Sequence, residues 1–159
     1  MYTVGILERT GALSAFLAAH LPQGLLDRAD LCPAGSLAAG EVLDLLVVSP
    51  DWTGEDRTVP PCRAMLIPGR LAQLAEGLTA SWAVSFGLSP KDSLTLSSLE
   101  EETIHLALQR EIITLTGQRL DPQEFPLARK NQTALCPMLA CVGVQLLLGV
   151  EPGNVTLFP

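Results

Sequence analysis

A chain of 159 residues, 48% apolar and 17% charged, has enough apolar surface to fold around a core without metal or disulfide help, which excludes a disordered segment. The net charge is −7 and the ten Lys and Arg are scattered, so the basic stripe needed for a nucleic-acid backbone or an anionic membrane is missing, and neither is expected as a partner. The mean hydropathy is positive, and the apolar surplus fits a homo-oligomer or a protein partner.

In chain order, Tyr2 to Leu7 is β-like, and Gly11 opens a helical run in which Leu13, Phe16, Leu17 and Leu21 recur at helical spacing until Pro22. Residues 22 to 41 mix Pro, Gly, Ala and Asp without a usable period and receive no assignment. VLDLLVV, Val42 to Val48, is a continuous apolar run that predicts a strand buried on both faces of a parallel sheet. DWTGEDRTVPP is a loop by composition. A strand from Arg63 to Ile67, a helix from about Arg70 to Glu76 and a strand from Ser81 to Phe86 complete an α/β order.

After Gly87 the pattern changes. LTLSS, TIHLALQ and IITLT are short segments with period two or β-branched residues, which predict an antiparallel ribbon. The hydroxyls of Ser93, Thr95, Ser97 and Ser98 would form a solvent-facing row or a small polar groove. LDPQEFPLARK is expected as an exposed connection or a contact loop, and a final helix runs to Leu148, stopped by Gly149. The expected architecture is therefore a mostly parallel, Rossmann-like sheet with flanking helices over about 1–87. The antiparallel ribbon and last helix occupy about 88–150, within one α/β domain over 1–159.

The N-terminal MYTVGILERTG sets Glu8 and Arg9 behind a short apolar run, unlike a secretory leader. The most apolar window, ALCPMLACVGVQLLLGV, is shorter than the ~20 residues a bilayer needs and carries Pro137 and Gln145. A soluble, cytoplasmic protein is expected. Cys32, Cys62, Cys136 and Cys141 lack metal-ligand spacing and read as buried free thiols. The two His residues, His20 at a helix end and His105 on a strand, give no Ser-His-Asp or Cys-His pattern. No catalytic residue, metal ligand or cofactor is assigned.

VGILERTGALSA carries a strand through a loop to Gly11 at a helix start, an arrangement in which backbone amides can cradle phosphate. Where such loops have Gly-Lys-Thr, this chain has Gly11, Ala12 and Leu13, so the phosphate ammonium and the magnesium hydroxyl are both missing. Glu8 stands where an anion would have to lie.

These segments together resemble, in shortened and degenerate form, the ATP-binding central domain of the Mur ligases and folylpolyglutamate synthases. Gly5, Glu8 and Gly11 align with that family's Gly-rich loop. DLLVVSPDW is similar to the family strand ending in Asp-His, with Asp51 kept and Trp52 replacing His. AMLIPGRLAQLAEGLTASWAVSFG is similar to the segment whose strand ends in Asn-x-Asp-Asp; here Pro68-Gly69-Arg70 replaces the acids while Phe86-Gly87 remains. NQTALCPMLACVGVQLLLGV is similar to the family's Ala-rich helix, without the His-Asn pair before it.

The resemblance, with its ATP residues missing, implies a non-catalytic binding or scaffolding protein. The alternative is a small-molecule enzyme using the cleft at the C-terminal ends of the parallel strands. Candidate ligand-binding residues there are Glu8, Arg9, Thr10 and Gly11 after the first strand, Ser49 and Asp51 after the second, and Arg70 after the third. The hydropathy, the apolar last helix and the tail VTLFP also suit an interaction module.

Overall fold

The computed structural model describes residues 1–55, 58–128 and 133–157. Asp56 and Arg57 of the expected loop, Arg129 and Lys130 of LDPQEFPLARK, the residues Asn131 and Gln132 ahead of the last helix, and Phe158 and Pro159 of the tail lie outside the described residues.

An eight-stranded sheet organises the chain, in the order β10-β7-β6-β5-β4-β3-β1-β2. Strand β1 (Tyr2–Leu7) leads through helices α1 (Ala12–His20) and α2 (Gln23–Leu26) to β2 (Ala29–Pro33), which pairs parallel on its outer side. The chain then crosses to the other side of β1 and lays down β3 (Leu43–Val48), β4 (Cys62–Pro68), β5 (Ala80–Phe86) and β6 (Leu94–Leu99), all parallel. β7 (Thr103–Leu108) and β10 (Gln123–Ala128) continue the sheet in antiparallel pairings. This is an α/β fold with a mostly parallel sheet and an antiparallel C-terminal ribbon.

One unassigned stretch is now placed, and four sequence expectations need correction. The unassigned 22–41 stretch holds α2, the edge strand β2 and a 3-10 turn at Ala34–Ser36. ADLCP lacks an apolar run because only Ala29 of β2 is buried. The expected helix from Arg70 to Glu76 is a 3-10 turn at Gly69–Leu71 followed by turns. Its backbone bonds are mostly of the i to i−3 kind, too few to offset helix nucleation across a short crossover.

IITLT does not join the ribbon. β8 (Ile112–Ile113) pairs with β9 (Arg119–Leu120) in a separate hairpin. The ribbon's outer strand is instead QEFPLA, β10, a segment the sequence reads as a connection or contact loop; Phe125 and Leu127 point into the core and Pro126 between them faces solvent. Ser93 and Thr95 are buried, so only Ser97 and Ser98 of the expected hydroxyl row are exposed.

Alternation along the strands divides the core into two layers. Ala64 and Leu66 of β4 face α1 and α3 (Leu135–Leu147), whereas Met65 and Ile67 face a cluster built from the 3-10 turns, Trp52, Leu71 and Ala75. All three α-helices thus lie on one face, and loops cover the other. α3 is buried from Met138 to Leu147. It ends in a Schellman motif: Gly149 adopts φ 99°, its amide bonds the Leu146 carbonyl, and the Val150 amide bonds that of Gln145. The buried Gln145 side chain clamps the tail by donating to the Thr156 carbonyl (2.7 Å) and accepting from its amide (3.2 Å). The apolar C-terminal helix is therefore consumed by the chain's own core.

Gly143 lets α3 approach the sheet, because a Cβ there would fall 2.7 and 2.8 Å from the Leu66 methyls. Gly143→Val should lower stability by about 1–3 kcal/mol through overpacking. The measurement is a shifted urea midpoint at unchanged slope.

Candidate functional site

The strand order reverses between β1 and β3, and in such sheets the crevice beyond the carboxyl ends at this point is the usual ligand site. Glu8, Arg9, Thr10 and Gly11 leave β1 there, and Ser49 and Asp51 leave β3, so six of the seven expected residues do meet. What they form is a closed network. The Glu8 carboxylate accepts from the amides of Leu13 (2.9 Å) and Ser14 (3.1 Å) and from the Ser14 hydroxyl. Thr10 Oγ1 accepts from the Ala12 amide (3.4 Å), and the Ala15 amide bonds the Gly11 carbonyl. The first turn of α1, whose orphan N–H groups would otherwise bind an anion, is satisfied from within. Gly11, at φ 82°, makes the left-handed turn that brings Glu8 back over the helix start.

Asp51 closes the other side. Its Oδ1 accepts from the Arg9 amide (3.1 Å), and its Oδ2 accepts from the Thr10 amide (3.1 Å) and hydroxyl (2.7 Å). Partial burial alone would raise the Asp51 pKa, but the Thr10 hydroxyl, the Arg9 and Thr10 amides and Ser49 outweigh it and hold the carboxyl below its ordinary value of 3.8. Ser49 is buried, and its amide extends the β1–β3 pairing to the Leu7 carbonyl (2.9 Å). Gly5 is not part of a phosphate loop. It lies within β1, where a Cβ would fall 2.7 Å from a Leu43 methyl and 3.2 Å from the Ala34 Cα.

Arg70 belongs to a second feature. Its Nη2 donates to the Pro50 carbonyl (2.6 Å), and beside it a cavity of about 740 Å³ opens beyond the ends of β4 and β5. Pro50, Pro68, Phe86 and Leu88 give it apolar walls, Ser85 and Ser89 add hydroxyls, and Cys136 of α3 lines it with Lys91, Asp92 and Arg110. Sequence reading missed Lys91, Asp92, Arg110 and Cys136. The only sequence signal was a glycine directly after two strand ends, Gly69 and Gly87, where a backbone can be approached closely.

All four cysteines are free; Cys62 and Cys141 are buried, whereas Cys32 and Cys136 are half-buried. Burial pushes the Cys62 thiol to about 11 and the Cys141 thiol to about 12, and burial with the nearby Asp30 and Glu41 charges raises that of Cys32. His105 Nδ1 lies 3.1 Å from the Ser98 hydroxyl, its directly opposed cross-strand neighbour, and no carboxylate among the described residues hydrogen-bonds the ring. Among the described residues no group of three His, Cys, Asp or Glu could hold a metal ion, and no helix is long and apolar enough to cross a membrane. No family model matches this sequence, and no curated protein matches it either.

Two outcomes follow from the network. Glu8→Ala should cost about 1–2 kcal/mol by stripping α1 of its N-terminal acceptor, read as a lowered urea midpoint. Because the folded Asp51 pKa lies below the unfolded one, its contribution is present above the unfolded value and lost as pH falls through the folded value. Asp51→Asn should therefore destabilise by about 1 kcal/mol at neutral pH. The gap to the parent should close in melts taken at pH values well below 3.8.

Proposed function

We propose that this chain is a non-catalytic binding or scaffolding domain on a Rossmann-like frame resembling the Mur ligase central domain, and that it does not use the loop after β1 to bind ATP. The observation that carries this reading is the Glu8 carboxylate on the Leu13 and Ser14 amides. An internal anion takes the donors that a phosphate would need. A phosphate charge about 4 Å from that carboxylate would meet a repulsion of about 4 kcal/mol at an effective dielectric of about 20. The absent Lys and hydroxyl at Ala12 and Leu13 remove the compensating attraction. Asp51 engages Arg9 and Thr10 in the same loop, so opening it would break bonds on both flanks.

The acidic chain suits a protein or small-molecule partner in the cytoplasm better than nucleic acid. A second reading, a small-molecule enzyme at the C-terminal ends of the parallel strands, draws on the cavity beside Arg70. It lacks a nucleophile and base within hydrogen-bond reach among the residues lining that cavity.

Titration calorimetry with Mg-ATP tests the first reading. No heat and no thermal shift at millimolar nucleotide are expected. Binding in the micromolar range would sink it, since Glu8 would then have to leave the helix start.

A further inference from the structure

Asp92 is 4% exposed, yet its carboxylate has a single hydrogen bond, from the Ser89 amide to Oδ2 (3.1 Å). Among the described residues Oδ1 accepts no bond, and no Lys or Arg reaches ion-pair distance. Oδ1 is not sealed from solvent, so a donor on a ligand would take the place of water there. The seat of Asp92 is built by two strand ends. A Cβ on Gly69 would collide with Oδ1, and one on Gly87 would fall 2.5 Å from Oδ2. This carboxylate lines the cavity of about 740 Å³, a size at which pockets hold compact organic ligands.

The same cavity gathers three of the chain's ten basic residues around one acid, a positive locus in a protein of net charge −7. Arg70 and Arg110 each donate Nη2 to a backbone carbonyl, and neither forms an ion pair among the described residues. The rest of the lining is mainly apolar.

We infer that the cavity binds a small amphiphilic organic acid. The ligand's carboxylate is held by Arg70, Lys91 and Arg110, its apolar body covers Phe86 and Leu88, and a donor on the ligand, ammonium or hydroxyl, completes Asp92 Oδ1. Asp92 alone would attract any cation and the rim alone any anion. Presented together in one mainly apolar cavity, they select a molecule carrying both a donor and an acid. The inference deepens the binding reading above by giving it a ligand class, but rests on a different set of residues.

Cys136 provides a local reporter, because it lines the cavity and is half-buried, while Cys62 and Cys141 are buried and Cys32, on β2, lies outside it. The experiment measures iodoacetamide alkylation of each cysteine by peptide mass spectrometry. The probes are tryptophan, indole-3-lactate and indole-3-propionate, which differ in bearing an ammonium, a hydroxyl or no donor beside the carboxylate. At least one donor-bearing acid should slow Cys136 alkylation about fivefold or more and leave Cys32 unchanged. Indole-3-propionate should bind about tenfold more weakly, since it leaves Oδ1 unpaired.

Protection by tryptophan alone identifies the donor as an ammonium, and protection by indole-3-lactate alone identifies a hydroxyl. Arg110→Gln, at an exposed position that keeps the fold, should weaken the protecting acid about tenfold. Asp92→Asn should abolish the preference for it over indole-3-propionate. No protection by any of the three acids at 20 mM overturns the inference, as does equal protection by all three that Asp92→Asn leaves unchanged (probe concentration set at about a hundred times a sub-millimolar dissociation constant). Mg-ATP binding that leaves Cys136 alkylation unchanged would count against the ATP-free reading alone.

Discussion

The contact on which the other elements depend is the seating of α3 on the central strands. Ten consecutive residues of this helix, Met138 to Leu147, are buried. A helix so enclosed can be stable only if the sheet beneath is flat enough and close enough to touch it on one side while other elements cover it elsewhere. Gly143 over Leu66 provides the closeness, and α1, the β8–β9 hairpin and the clamped tail provide the cover. Leu115 illustrates the coupling: its amide bonds the Leu147 carbonyl, and its own carbonyl receives Arg63 from β4. The C-terminal half of the chain is thus wrapped around one helix, and the parallel strands support it.

That arrangement leaves the carboxyl ends of the strands to divide the work of two neighbouring sites. Beyond β1 and β3, short polar side chains bond every amide of the first turn of α1, and two carboxylates face inward on a loop. Beyond β4 and β5, a more deeply buried carboxylate has only one amide, and three basic residues share the lining of its cavity. The contrast is one of satisfaction. A network whose donors and acceptors match is finished, whereas a carboxylate oxygen open to a cavity still has room for a ligand's donor.

Central elements were readable in the sequence because burial on both faces leaves a plain apolar signature. VLDLLVV and the run through Ala140 to Leu148 can be little else. The edge strands were not. β2 buries only Ala29, and β10 contains a proline and two exposed polar residues at its start, so both read as loop. The site was half legible for a related reason. Glu8 lies five and six residues from the amides it binds, within the span of one loop, and its position could be foreseen. Asp51 meets Thr10 across 41 residues, and Asp92 meets Gly69 only after two strands have been laid side by side. Contacts that arise from strand order have no local trace.

β10 ends the sheet on one side, and an end strand offers unpaired backbone groups to any extended chain that drifts against it. Pro126 stands in the middle of those six residues and has no N–H to contribute. Proline persists in a sheet only where the missing donor would have pointed outward, so the row that a newcomer must match is broken at its centre. A newcomer's strand at this margin would set one of its carbonyls against a ring instead of an N–H, which disfavours growth of the sheet by that route.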